Sequence, residues 1–212
     1  MSRVLPNNEL RLPSIRALTR INVDVHKMAI EIEKKYRIDK KKLVELTAKL
    51  GDLMAKFSYE TFEENYLHRG GLLDGKAAVL RLRKTDRKTT LTYKEKVPTE
   101  NDFKHQIEHE TEVSDVGEME HIIEKLGYRL SVVYEKHRKA WWLGNVEVVL
   151  DELPFGYYME IEGPIDDILT AEKQLGAEDL EPEVRGYPRL TAKYGKLING
   201  VHESRFAKKT SA

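Results

Sequence analysis

Between residues 29 and 38 apolar and charged positions alternate, with Ile30, Ile32, Tyr36 and Ile38 on one parity and Glu31, Glu33, Lys35 and Arg37 on the other. A period of two predicts a strand with one apolar and one charged face. Asp39 stands as the N-cap of a following helix, where Leu43, Leu46, Leu50, Leu53 and Met54 recur at three-to-four spacing. Residues 57–68 read as extended, Arg69-Gly70-Gly71 and Asp74-Gly75 as turns, and 77–83, 89–97 and 106–113 as three further strands. Asp115 with Glu118 forms a capping box before the apolar stripe Met119, Ile122, Ile123 and Leu126, which Gly127 closes. Strands at 131–143, 146–150 and 157–162 come next, then a helix opened by Pro164 and ended by Gly176. Periodicity fades after Leu180. The pattern predicts an α+β domain over residues 28–200, with seven or eight strands and three amphipathic helices between them. Residues 1–27 read as a loose extension, Met28 as a candidate native start, and 201–212 as a polar tail.

Residues of equal parity share a face. One face carries Glu31, Glu33 and Lys35; Arg81 and Arg83; Lys94 and Lys96; Glu108, Glu110 and Glu112; Lys136 and Arg138; Glu147 and Asp151; Glu160 and Glu162. The other carries Leu80, Leu82, Ile107, Val113, Val146, Val148, Leu150, Met159 and Ile161. An antiparallel sheet with one solvated face is the plain explanation, but such faces normally mix hydroxyls and amides with their charges. Here nearly every polar position is ionised, and acids and bases arrive on separate strands. Closure of the sheet makes the ionised face a lining and leaves the apolar face to the helices. Clustered like charges are costly to desolvate, so such a lining calls for counter-ions. Grouped carboxylates suit Mg²⁺ or Mn²⁺, and grouped guanidiniums suit phosphoryl oxygens.

Composition narrows this further. Lys plus Arg number 36 and Asp plus Glu number 36, so no net field draws the chain to nucleic acid or an anionic membrane. Cysteine is absent, which excludes disulfides, thiolate nucleophiles and cysteine zinc sites and fits a reducing cytoplasm. No apolar run approaches the roughly 20 residues of a membrane helix. His68, His105, His109, His121 and His137 have no metal-ligand spacing, and Trp141 and Trp142 read as core or rim aromatics.

Glu31-Ile-Glu33-Lys-Lys35 resembles the Glu-x-Glu-x-Lys signature of the CYTH superfamily, which unites class IV adenylyl cyclases, thiamine triphosphatases and inorganic triphosphatases. The resemblance continues through Leu80-Arg81-Leu-Arg83, Thr92-Tyr-Lys94, Glu110-Thr-Glu112-Val, Lys136-His-Arg138, Val149-Leu-Asp151 and Met159-Glu160-Ile-Glu162-Gly. It implies an eight-stranded antiparallel β-barrel, a triphosphate tunnel with helices packed outside. Lys35, Arg81, Arg83, Lys94, Lys136 and Arg138 would bind the triphosphate, with Lys193 carried over from a C-terminal motif that differs here. Glu31, Glu33, Glu160 and Glu162 lead as ligands of Mg²⁺ or Mn²⁺, with Glu110, Glu112 and Asp151 beside them. Lys35, Arg138 and Asp151 would take the catalytic roles. Glu108 stands where relatives often place an arginine. The implied activity is hydrolysis of a terminal phosphoryl group of an inorganic or organic triphosphate. Cyclisation of ATP and non-catalytic polyphosphate binding are the alternatives, and a homodimer is left open. Glu64-Asn65-Tyr66, Thr92-Tyr-Lys94 and Leu153-Pro154-Phe155-Gly156 look closer to the cyclase and thiamine triphosphatase branches.

Overall fold

The alternating first segment is a strand, β1 (Ile30–Ile38), and it lies inside a sheet that closes on itself. The computed structural model describes residues 30–99 and 102–207; the expected N-terminal extension, Met28 as a start and Lys208-Lys209 fall outside the described residues. After β1 come α1 (Lys40–Asp52), β2 (Lys56–Arg69), α2 (Leu72–Gly75), β3 (Ala78–Lys84), β4 (Thr89–Val97) and β5 (Lys104–Glu112). Then follow α3 (Val116–Lys125), β6 (Arg129–Leu143), β7 (Val146–Leu153), β8 (Gly156–Glu162), α4 (Ile165–Leu175), α5 (Tyr187–Tyr194), β9 (Lys196–Ile198) and β10 (Val201–Ser204). Both predicted caps form: Asp39 accepts a bond from the Lys42 amide at 2.7 Å, and Asp115 one from the Glu118 amide at 3.0 Å. Gly176 ends α4 in the left-handed conformation.

Neighbouring strands run β2-β3-β4-β5-β1-β8-β7-β6, and β6 pairs back to β2. All eight pairings of this ring are antiparallel. The sheet does not stop there: β10 adds to β6 in parallel and β9 extends it, so residues 201–204 belong to the sheet instead of opening a polar tail.

The outward apolar parity is buried as expected. Tyr36, Val148, Met159 and Ile161 pack with Leu46 and Leu50 of α1 and Ile168 and Leu175 of α4. A helix beyond the three predicted ones, α5, does not lie on the outside. Its Tyr187 and Leu190 cluster with inward-facing Leu67, Tyr134, Leu153 and Tyr158, so this helix closes one end of the ring. That contact leaves no periodic trace, because one short helical turn makes it.

Gly163 matters for where β8 ends. It follows Glu162 at φ 153°, and an added Cβ would lie 2.8 Å from Val146 Cγ1 and 3.1 Å from the Asn145 carbonyl. Its amide also donates to the Ile32 carbonyl at 3.0 Å, tying β8 to β1. Gly163→Ala should therefore lower unfolding free energy in urea by more than about 1 kcal/mol, through both strain and contact.

Candidate active site

The ionised parity lines a cavity of about 600 Å³. Glu31, Glu33, Lys35, Arg81, Arg83, Lys94, Lys96, Glu110, Lys136, Arg138, Glu160 and Glu162 all border it, although they come from six strands. Ring order sorts them by sign. Adjacent strands β1, β8 and β7 supply carboxylates; β6, β3 and β4, on the other side, supply guanidiniums and ammoniums.

On the acidic wall the ladder sets Glu33 directly opposite Glu162, and Glu162 directly opposite Glu147. Three like charges on neighbouring strands repel at a Cβ separation of about 5 Å. Lys104 relieves one end of the row, 2.6 Å from Glu33. Burial pushes Glu33 up, as does nearby Glu160, but Lys104, Lys35 and Lys94 together hold it below the usual range. Glu162 forms no such ion pair among the described residues, and burial with Glu33 beside it raises its carboxyl to about 7 against the weaker pull of Lys94. Burial and Glu108 raise Glu31 to about 8 against the pull of Lys94. Burial also raises Glu147. The wall is therefore short of positive charge.

The basic wall carries its own counter-charges. Arg138 grips Asp151 through Nε at 2.7 Å and Nη2 at 2.6 Å, and reaches Glu160 at 2.6 Å. Lys136 lies 3.4 Å from Asp151 and 3.4 Å from Glu63. Arg81 meets Glu108 at 3.4 Å and Thr92 at 3.2 Å, while its buried Nε has no hydrogen-bond partner. Lys94 pairs with Glu108 and, at 3.1 Å, with Glu31. Glu108, the residue at which the chain departs from the family resemblance, thus serves as a counter-ion on this wall. Lys35 joins the two walls, 3.6 Å from Glu160 and 4.2 Å from the centre of the Tyr187 ring. Burial, and Lys104 next to it, bring its ammonium down to about 7 despite the opposing Glu160.

Three expected site residues lie elsewhere. Asp151 is fully buried behind Arg138, Lys136 and the Tyr187 hydroxyl, which donates to it at 2.7 Å, so it does not border the cavity. Its parity was right, but α5 covers it. Glu112 sits at the outer end of β5, exposed and paired with Lys88 at 3.2 Å, because the strand runs on past the cavity. Lys193 occupies the exposed face of α5, 4.9 Å from the Tyr194 ring, since six residues carry it off the face of Tyr187. Glu110 does line the cavity, yet it accepts a bond from Thr92 at 2.8 Å and lies 3.7 Å from Arg81, serving the basic side.

Other residues of the site escaped the sequence reading. Lys104 shares the parity of Glu108, but β5 begins two residues before the predicted 106. Glu63 was hidden because Glu63 and Glu64 put charge on both parities of β2. Arg189 and Tyr187 border the cavity only through α5.

The donor set suits a hard divalent ion, since Glu33, Glu162 and Glu147 offer oxygen ligands whose mutual repulsion a cation would relieve. Among the described residues no three His, Asp or Glu side chains yet converge as a finished cage, so rotamer changes would have to gather them. A sign follows for pH. Unfolded glutamate titrates near 4.5, whereas Glu162 and Glu31 hold their protons to about 7 and about 8. Between those values the folded chain keeps protons that the unfolded chain has lost, so these two carboxyls make stability decline as pH rises from about 5 to about 7, above which the lowered Lys35 ammonium works the other way. Mn²⁺ or Mg²⁺ should restore it, and more at pH 8 than at pH 6, because the ion displaces those protons. Thermal melts at both pH values, with and without the ion, check this; an equal gain at both would contradict it.

Comparison with known proteins places this geometry. The family model described as the CYTH domain matches residues 29–187. The chain belongs to the CYTH family. A Methanocaldococcus jannaschii protein provisionally named an adenylate cyclase is 31% identical over 151 residues, covering 69% of this chain and 83% of that protein. The PH1012 protein of Pyrococcus horikoshii superposes with a TM-score of 0.66 at 26% identity, over 76% of this chain and 98% of that one. A Hippeastrum protein, provisionally an adenylyl cyclase and described as having a dominant triphosphatase activity, aligns with a TM-score of 0.59 at 17% identity, over 82% and 100% of the two chains. Its likeness is one of CYTH fold. No helix among the described residues is long and apolar enough to cross a membrane.

Proposed function

We propose that the protein is a divalent-metal-dependent enzyme that hydrolyses the terminal phosphoryl group of a triphosphate held in the ring. The observation that carries this reading is the opposition of a basic and an acidic wall across one cavity. Arg81, Arg83, Lys136 and Arg138 bind phosphoryl oxygens; Arg138 is held by Asp151 and Glu160, and Arg83 by Glu63, before substrate arrives. Positioning and charge neutralisation are most of what phosphoryl transfer requires. Glu33, Glu162 and Glu147, with Glu31 two residues along β1, would hold Mg²⁺ or Mn²⁺. A bound divalent ion supplies Lewis-acid polarisation and an activated water. Lys35, titrating near neutrality beside Glu160, can hand a proton to the departing phosphoryl oxygen.

Cyclisation of ATP is the second reading, favoured by the 31% identical relative provisionally named an adenylate cyclase. Product analysis separates the two. With Mg²⁺ or Mn²⁺ and tripolyphosphate, thiamine triphosphate or ATP, the first reading expects orthophosphate release. Cyclic AMP with pyrophosphate would replace it by the second, and no turnover of any of the three would overturn both.

A further inference from the structure

Glu63 lies behind the basic wall, 1% exposed and absent from the cavity lining. Its Oε2 is 3.4 Å from Lys136 Nζ and 3.5 Å from Arg83 Nε, and it accepts a bond from Asn65 Nδ2 at 3.3 Å. Its Oε1 is 4.0 Å from Arg138 Nε. One carboxylate therefore touches three of the cations assigned to the phosphoryl groups. Among the described residues Arg83 forms an ion pair with Glu63 alone.

Its neighbours differ in kind. Glu160 and Glu31 also balance cations of the basic side, but they border the lumen, where a divalent ion can recruit them. Glu63 cannot be recruited, because the wall it supports stands between it and the lumen. When a metal ion and a polyanion fill the cavity, Glu63 stays with Arg83, Lys136 and Arg138. Burial works against its charge, yet those three cations and Arg81 hold the carboxyl far below the usual range, so the counter-charge is permanent.

We infer that Glu63 is a positioning residue that fixes Arg83, Lys136 and Arg138 for the transferring phosphoryl group and tempers their grip on the polyanion so that products leave. The inference rests on the reading of the lumen as a triphosphate site. A purely structural role would lower binding and turnover together. A positioning and tempering role splits them: the uncompensated wall attracts the polyanion more strongly but presents it in the wrong geometry.

The test compares wild type, Glu63→Gln and Glu63→Asp. Tripolyphosphate is titrated calorimetrically without metal, and steady-state kinetics are followed with Mn²⁺. For Glu63→Gln, binding should tighten by roughly tenfold, from one added unit of positive potential. Its kcat should fall by about 100-fold, the usual effect of misplacing a reacting group by an ångström. Glu63→Asp, which keeps the charge, should return both values toward wild type. Weaker binding with lower kcat in Glu63→Gln, or no change in either, overturns the inference. Should wild type itself bind no tripolyphosphate, the lumen reading falls and this inference with it, a result distinguishable from failure of Glu63 alone.

Discussion

Glu162→Gln is expected to stabilise the ligand-free protein and to abolish its metal-dependent turnover. Glu162 is the middle of the Glu33, Glu162 and Glu147 row, and the only one of the three with a carboxylate opposite it on both sides. Its carboxyl titrates at about 7, so at pH 8 the charge is present against the preference of its surroundings. The amide keeps the shape and removes the repulsion, a gain on the order of 1 kcal/mol at pH 8 once partial exposure to water is allowed for. The same change takes away the central oxygen ligand, and loss of an ion that supplies several kcal/mol of transition-state stabilisation should lower kcat by about 10³-fold. Melting temperature at pH 8 and Mn²⁺-dependent phosphate release give the two readouts. A variant that melts lower than wild type, or that keeps its rate, would contradict this view of the acidic wall.

Arg138→Ala should produce the largest loss of stability. Arg138 makes a two-pronged contact with Asp151, which is fully buried, and a third bond to Glu160. Without the guanidinium, Asp151 keeps, among the described residues, Lys136 and the Tyr187 hydroxyl. Leaving a buried charge short of its partner costs about 3–5 kcal/mol. Urea unfolding should register that cost, and phosphate release should be lost with it. Arg138→Lys keeps the charge but not the fork, so it should recover part of the stability and little of the rate. Equal stability of wild type and Arg138→Ala would show that Asp151 does not depend on this contact.

These expectations rest on a fold whose ring was legible in the chain and whose end was not. Alternation such as that of Ile30, Glu31, Ile32 and Glu33 reports which side of a strand a residue takes, and the outward set did pack against α1 and α4. Parity carries no information about depth. It placed Asp151 on the inner face correctly, but only Tyr187, brought in by α5, shows that Asp151 supports Arg138 from behind. Nor does it mark where the lumen stops along a strand, so Glu112 shared the right face and fell beyond the cavity. Lys104 lies two residues before the point from which the pattern predicts β5. Glu63 shows a further limit: in a strand with charges on both faces, the sequence offers no sign of which carboxylate the ring encloses.

Diffraction from crystals grown with Mn²⁺ and tripolyphosphate decides whether metal and polyanion share the lumen, because the anomalous signal locates the ion independently of activity. A manganese peak is expected between Glu33, Glu162 and Glu147, with a phosphate chain lying along Arg81, Arg83, Lys136 and Arg138. Manganese bound only on the outer surface, with the lumen cations still paired to their own carboxylates and no polyphosphate between the walls, would contradict this expectation.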